Sequence, residues 1–535
     1  MKSPFEVNRP VPYETRNANG DAMLIQPVKR TDGQDRDSLP TMVHYLAAAA
    51  ETAPDRPAVI VGDETITYGD YAAGAGGVAA RLAGLGLERG NRVVIGAAPS
   101  VIVPQLILGA QAGGFAPAMV NPAYTPRELT PLLAIARPKA VLCDGVSRAA
   151  LAEVASASGV PVLDISGGPE EWRDSTVRTL PGALPAAGDL GVILYTGGTT
   201  GISKGVPHTH AEIIAAMTAS EGGFPSDLDT DLFLDLPPIF HIIGLYHGVF
   251  QPIYGRNTTV FLPRFHPDLF YDALETHRPA AGIVGAPTAY SALIHHPRFE
   301  SADFSSLKFC MSGGAPLPDA IIRAWEKRAG SPILEGYGMS EGAPTTTNPL
   351  HGTRKLRSAG LPTPGTEFEI VDLATGIEVL APGEEGEIRV RGPQVCRHYF
   401  NNPEATAEAF RDGWLYTGDI AFMDEEGYVF IVDRKKDMAL VSGFNVYPRE
   451  IDEVLLSHPK VKEAASIGVP DEYRGEVIKA VIVAKEGETL SEQELTEFCA
   501  RNLVKYKVPA IFQFVDEVPK TPVGKVDKKR LRAAL

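Results

Sequence analysis

Residues 195–205 read Tyr-Thr-Gly-Gly-Thr-Thr-Gly-Ile-Ser-Lys-Gly, a run of small and hydroxyl-bearing residues closed by one lysine. The apolar residues 190–194 ahead of it have strand character, and a helical pattern resumes over 208–220. The spacing predicts strand, glycine-rich loop, helix. Gly197, Gly198 and Gly201 carry no Cβ, so backbone N–H groups can converge there on an anion. Thr196, Thr199 and Thr200 add hydroxyl donors and Lys204 adds a positive charge. Together they suit a polyphosphate. The loop is not a Walker A motif, which needs Gly-Lys followed by Ser or Thr, because Lys204 follows Ser203 and precedes Gly205.

The 535 residues exceed what one hydrophobic core organises, so more than one domain is expected. With 44% hydrophobic and 22% charged residues the chain can bury those cores and is not disordered. A net charge of -16 argues against nucleic acid or an anionic membrane as the main partner, so an anionic ligand must find local positive charge. Cys143, Cys310, Cys396 and Cys499 are scattered, without CxxC spacing, which excludes a zinc cluster and suits reduced core thiols in a cytoplasmic protein.

Residues 1–39 are polar, lack the apolar centre of a secretory signal and are expected to form an extended arm. Residues 93–126 contain no charged side chain and are long enough to span a bilayer. Pro99, Pro104, Gln105, Gln111 and the Gly113-Gly114 pair interrupt them, so a buried strand at 92–96 and a buried helix at 101–112 are predicted, with no transmembrane segment. From Pro57 onward strand-like runs alternate with helical ones, the pattern of parallel sheets covered by helices. After about 363 the texture turns to short strands between Gly/Pro turns, a β-rich subdomain. The charged run Asp433-Arg434-Lys435-Lys436-Asp437 then precedes about 100 residues with their own helix and strand pattern. The fold class expected is α/β: a large N-terminal domain over 40–434, with its β-rich part at about 363–434, and a small α+β C-terminal domain over 435–535.

Further stretches follow in order: Pro238-Ile239-Phe240-His241, Ser312-Gly313-Gly314-Ala315-Pro316, Gly336-Tyr337-Gly338-Met339-Ser340-Glu341, Tyr416-Thr417-Gly418-Asp419, and Lys520-Thr521-Pro522-Val523-Gly524-Lys525. With the loop at 195–205 and the charged run at 433–437, this succession resembles the adenylate-forming enzymes: acyl-CoA synthetases, 4-coumarate-CoA ligases, peptide-synthetase adenylation domains and beetle luciferases. The resemblance extends from about Leu39 to the end. The stretches at 195–198, 433–438 and 445–448 look most like those of bacterial fatty-acid-CoA ligases.

That resemblance implies the site. Thr196, Gly197, Gly198, Thr199, Thr200 and Lys204 would hold the phosphates of ATP, with adenine lying against Gly314, Ala315 and Pro316 and stacking on Tyr337. Gly338 and Ser340 follow in the same turn, Ser340 standing where many relatives have Thr and keeping the hydroxyl for the α-phosphate. Glu341, a hard carboxylate, would hold Mg²⁺. Asp419 would accept hydrogen bonds from the ribose hydroxyls, Arg434 would meet ribose and phosphate, and Lys436 would be the pivot of a mobile C-terminal domain. His241 borders the acyl site. Lys525 would stabilise charge as the carboxylate attacks the α-phosphate. Ser442 and Gly443 would pass the pantetheine of CoA and Arg264 would meet a CoA phosphate. Leu440 departs from coumarate ligases and luciferases, which carry a second lysine there. Ile243, Tyr246, Gly285 and Thr288 are candidate pocket residues, and Lys528, Lys529, Arg530 and Arg532 read as an exposed basic helix end.

The activity implied is a two-step ligation of a small carboxylic acid, a fatty acid first, through acyl-adenylate to CoA, with a homodimer allowed. An aryl acid, or a carrier protein in place of CoA, are the alternatives, although no carrier domain follows Leu535. A luciferase-like oxygenase would need no CoA, and a non-catalytic nucleotide binder would not need Lys204, Glu341, Asp419, Arg434 and Lys525 together.

Overall fold

The computed structural model describes residues 14–16, 22–24, 39–168, 177, 179–196, 203–442, 444–471, 473–521 and 525–534. The arm expected over 1–39 lies outside them, except for a short antiparallel pair, Glu14–Arg16 with Ala22–Leu24, and Leu39.

Two largely parallel sheets form the large domain. One runs Lys204–Thr209, Leu190–Thr196, Ala116–Met119, Arg92–Gly96, Ala140–Cys143, Val162–Asp164; only its first pair is antiparallel. The other runs Leu361–Pro362, Gly342–Thr347, Ile333–Met339, Phe309–Gly313, Ala281–Gly285, Leu232–Asp235, Thr258–Phe261, Pro57–Val61, Glu64–Thr67, parallel from Ile333–Met339 through Pro57–Val61. Val93, Val94 and Ile95 are all fully buried, as a parallel strand covered on both faces requires.

Between the sheets lies one continuous core, built from strands of both and from helices Met42–Thr52, Tyr68–Gly84, Ile102–Ala112 and His210–Gly223. Thr67 and Asp70 cap Tyr68–Gly84 reciprocally, fixing its first turn. Its contact with Ile102–Ala112 depends on missing side chains. A Cβ at Gly74 would come within 2.3 Å of Gln105 Nε2, and one at Gly109 within 2.6 Å of Val78 Cβ. The charge-free stretch is therefore strand, buried helix, strand, and among the described residues no helix is long and apolar enough to cross a membrane.

Glu367–Val371, Gly386–Arg391, Phe410–Arg411, Trp414–Met423 and Val429–Arg434 form the antiparallel β-rich part. A separate α+β domain follows, with Phe444–Val446, Ala439–Val441, Gly475–Ala484 and Val461–Asp471 antiparallel, Ile511–Phe514 parallel to Gly475–Ala484, and its own core. All four cysteines are free and buried.

One expectation is corrected. Lys204–Thr209 is a strand, not the approach to a helix beginning at 208, and it pairs antiparallel with Leu190–Thr196 as the second arm of a hairpin. Thr209 caps the helix that starts at His210, its side chain accepting from the Glu212 N–H, so 208 stands outside it. Pro207 cannot donate, and it sits on the sheet's edge strand where no donor is needed.

Candidate active site

The hairpin places Thr196 and Lys204 as register partners at the end where the glycine-rich stretch joins the two strands, while Gly197, Gly198, Thr199, Thr200 and Gly201 fall outside the described residues. Lys204 Nζ stands 4.5 Å from the centroid of the Tyr399 ring, a cation–π contact. The Tyr399 hydroxyl donates to Glu341 Oε1 at 2.6 Å. Phe400 N–H donates to the Gly205 carbonyl and Cys396 N–H to the Glu341 carbonyl, so the 396–400 segment clamps the base of the loop to the candidate metal carboxylate. Tyr399 belongs to none of the motifs, yet it joins two of them.

Glu341 caps the turn between Ile333–Met339 and Gly342–Thr347. Burial raises its pKa; the Tyr399 hydroxyl and Lys204 act against that rise. His208 supports the same turn from behind. It is fully buried, with Nε2 2.7 Å from the Ser340 carbonyl, which must accept, so Nε2 carries the hydrogen. Burial pushes its pKa down to about 4 and keeps it neutral.

Tyr337, Asp419 and Arg434 make a second cluster. The Tyr337 hydroxyl donates to Asp419 Oδ2 at 2.6 Å, and Arg434 Nε lies 3.3 Å from Asp419 Oδ1. Asp419 and Arg434 are opposed in register across adjacent strands, so the sheet itself sets their separation. Thr417 accepts from Asp419 N–H, and Gly418 N–H donates to Glu387 Oε1, holding the turn that presents the carboxylate.

Lys525 approaches the Gly314 turn from the C-terminal domain. The Gly314 turn follows Phe309–Gly313 and is left-handed, with φ +80°, and Ala315 and Pro316 continue it. A Cβ at 314 would lie 3.5 Å from Lys525 Nζ and 3.7 Å from Ile243 Cδ1. Burial and then Arg434 push the Lys525 pKa down to about 8, against the pull of Asp419. His241 lies on the same turn side: burial, then the Lys525 charge, pushes it down to about 3. Its Nδ1 accepts from Ile243 N–H at 3.3 Å, leaving Nε2 to carry the hydrogen.

Other expected residues stand apart from this constellation. Ser442 is exposed in a left-handed conformation, Arg264 is exposed on the loop after Thr258–Phe261, and Gly443 is outside the described residues. Lys436 is exposed beside Arg434, its pKa lowered by partial burial and by that guanidinium. Of the candidate pocket residues, Ile243 reaches the Gly314 turn, Tyr246 turns away edge-on to His208, the Gly285 carbonyl accepts from Ser312 Oγ, and Thr288 lies in helix Pro287–Ile294.

The basic helix end is a further correction. Lys529 and Arg530 are exposed, but Lys528 Nζ approaches Asp433 at 3.8 Å and Arg532 pairs with Asp437 at 2.7 Å. Within the charged run 433–437 the two carboxylates, Asp433 and Asp437, are buried, while Arg434, Lys435 and Lys436 between them are exposed. Arg449 N–H also donates to Asp433, and Arg357 pairs with Glu453, seating Pro448–Leu456 against the large domain.

The AMP-binding enzyme model matches residues 46–400, and the AMP-binding enzyme C-terminal domain matches 450–525. The chain is 36% identical over 532 residues to the long-chain-fatty-acid–CoA ligase of Bacillus subtilis (strain 168), covering 92% of this chain and 94% of that one. It is 35% identical over 536 residues to the long-chain-fatty-acid–CoA ligase of Escherichia coli O157:H7, covering 93% and 95%. Among solved structures it resembles ATP-bound MatB from Rhodopseudomonas palustris, with a TM-score of 0.86 at 33% identity over 92% of this chain and 98% of that one. Apo MatB gives 0.75, so the present conformation is nearer the ATP-bound form of that protein. The motif order, the two-domain architecture and these matches together place the chain in the AMP-binding enzyme family, as an AMP-forming acid–CoA ligase.

Proposed function

We propose that this enzyme activates a fatty acid with ATP and Mg²⁺ and transfers the acyl group to CoA. The observation that carries the reading is the meeting of Lys525 with the Gly314 turn, beside His241 and the Tyr337–Asp419–Arg434 cluster. A carboxylate held there faces one cation, and a nucleotide beside the Tyr337–Asp419–Arg434 cluster faces a carboxylate and a guanidinium. The fatty acid is favoured because both curated relatives named above act on long-chain fatty acids.

In the first step a carboxylate oxygen bonds to the α-phosphorus and the bond to the β-phosphate oxygen breaks, giving acyl-adenylate and pyrophosphate. Lys525 offsets the charge that builds on the α-phosphoryl oxygens, and its lowered pKa reflects a poorly solvated ammonium, which interacts strongly with such charge. Neutral His241 offers a hydrogen at Nε2 to the incoming carboxylate. Asp419 accepts from the ribose hydroxyls, and Lys204 with the 196–201 loop holds the leaving phosphates.

Among the described residues no group of three or more His, Cys, Asp or Glu could hold a metal. The lone carboxylate of Glu341 nevertheless fits Mg²⁺, which takes one or two protein carboxylates and fills its shell with water and phosphate oxygen. When bound, the cation neutralises phosphate charge.

In the second step the CoA sulfur bonds to the acyl carbon, the bond to the adenylate oxygen breaks, the thiol proton is lost and AMP leaves. Lys525 has to leave the site first. The hinge falls between 434 and 435, dividing 40–434, with its β-rich part at 363–434, from 435–535, and Lys436 is the pivot. After rotation Ser442 and Gly443 would line the pantetheine path, with Arg264 at a CoA phosphate. The test is a panel of fatty and aryl acids followed for pyrophosphate release and then for thioester. Fatty acids are expected to give both products; AMP from aryl acids alone would overturn the choice of acid, and AMP from none would overturn the activity.

A further inference from the structure

The helix after His241 carries a buried histidine that the chemistry above does not use. His247 lies in the π-helix Gly244–Phe250, four residues beyond Ile243, and is 2% exposed. The i→i+5 bonding of a π-helix widens each turn, so positions four apart share a face. Ile243 shows where that face looks: its Cδ1 would be 3.6 Å from a Cβ at Gly313 and 3.7 Å from one at Gly314, the turn that meets Lys525. Phe224 continues the wall. Its ring meets that of His247 edge-on with centroids 5.6 Å apart, and its Cζ would be 3.1 Å from a Cβ at Gly336. Gly313 and Gly336 are register partners on neighbouring strands. Ile243, His247 and Phe224 thus line one wall that begins at the turn meeting Lys525, and an acyl chain running along that wall would pass His247.

Hydrogen bonds settle which nitrogen of His247 is protonated. Gln251 Nε2 donates to Glu221 Oε1 at 2.9 Å and to the Phe224 carbonyl at 3.1 Å, so Gln251 Oε1 is left to accept. His247 Nδ1, 2.7 Å from that oxygen, carries the hydrogen. Burial pushes the imidazole pKa down to about 4, only partly opposed by Gln251, so the ring stays neutral. A neutral ring protonated at Nδ1 presents a lone pair at Nε2. Among the described residues no donor meets it.

We propose that His247 Nε2 accepts a hydrogen bond from a hydroxyl on the acyl chain, which makes this enzyme selective for hydroxylated acids. This rests on the acid-binding reading above. A purely apolar wall tolerates a hydroxyl without favouring it. A wall with a fixed buried acceptor leaves that acceptor unpaired when a plain chain binds, and so discriminates against the plain chain.

The experiment compares plain acids with partners monohydroxylated at successive carbons, measuring kcat/KM for AMP formation. At one hydroxyl position the wild type is expected to prefer the hydroxy acid by about 10-fold or more. His247→Leu should bring that ratio close to unity, and His247→Gln, whose amide can donate to Gln251 and whose carbonyl can accept, should restore part of it. A wild type without preference at any position overturns the proposal, whether or not the leucine variant folds. A preference that survives His247→Leu or is lost in a folded His247→Gln also overturns it. AMP from plain acids with an unchanged ratio sinks the His247 assignment alone, whereas AMP from no acid sinks the proposed function with it.

Discussion

Lys525 Nζ of the C-terminal domain lies 3.5 Å from where a Cβ would stand on Gly314 of the large domain. If that contact places the ammonium for attack on the α-phosphate, Lys525→Ala should slow adenylation by about 10²- to 10³-fold, the range for losing one preorganised electrostatic donor. Synthetic acyl-adenylate supplied to the variant should still yield thioester at close to the wild-type rate. A variant equally inactive from acyl-adenylate would mean that Lys525 is structural or serves both steps.

The lowered pKa of Lys525 sets a pH profile. Its cation is lost as pH rises through about 8, so kcat/KM for adenylation should fall on the alkaline side with an apparent pKa near that value. Lys525→Arg keeps its charge and should remove the alkaline limb. His241, pushed down to about 3, should contribute no inflection between pH 5 and 8. An alkaline limb that persists unchanged in Lys525→Arg would assign it to another group.

Tyr399 links Lys204 to Glu341, and its hydroxyl and its ring can be tested separately. Tyr399→Phe keeps the ring under Lys204 but removes the hydrogen bond to the carboxylate. The expected result is about a 10-fold loss in kcat/KM at limiting Mg²⁺, the size of one hydrogen bond to a charged group, shrinking as Mg²⁺ is raised. A loss independent of Mg²⁺ concentration would separate Tyr399 from the metal carboxylate.

Rotation of the C-terminal domain should depend on the backbone at Lys436. Lys436→Pro fixes φ there and should slow thioester formation more than adenylation. Equal loss in both half-reactions, measured from acid and from acyl-adenylate, would place the hinge elsewhere.

Gly109 tests the core between the two sheets. Alanine gains up to about 1 kcal/mol of helix propensity over glycine. Its Cβ would, however, come within 2.6 Å of Val78 Cβ and 2.8 Å of the Ala75 carbonyl, and overpacking costs about 1–3 kcal/mol. Gly109→Ala should therefore lower the urea midpoint without changing the slope of the transition. An unchanged or raised midpoint would show that the helices can part without cost.

Much of the frame was legible because local chemistry dictated it. The apolar run that follows Arg92 reads as a strand buried on both faces, and the strand Arg92–Gly96 has the expected bounds. The tasks expected of Lys204, Tyr337 and Asp419 came from the resemblance of the motifs, and the structure adds that Tyr337 and Asp419 meet in one cluster. Lys204–Thr209 was misread because a short run containing Pro207 carries little periodicity, and its strand character comes from the partner Leu190–Thr196. Lys528 and Arg532 looked like a solvated helix end because nothing in their own neighbourhood announces the buried Asp433 and Asp437.

By itself, then, the sequence determined the α/β class, the order of the motifs and the kinds of side chain offered to a nucleotide. Only the tertiary structure brought Tyr399 to Glu341 across 58 residues of chain, set His208 behind Ser340, turned His247 rather than Tyr246 toward Phe224 and carried Lys525 to Gly314. The physical reason is that propensity and periodicity act over a few residues, whereas a hydrogen bond or a close approach between distant segments exists only once sheets, helices and domains have packed.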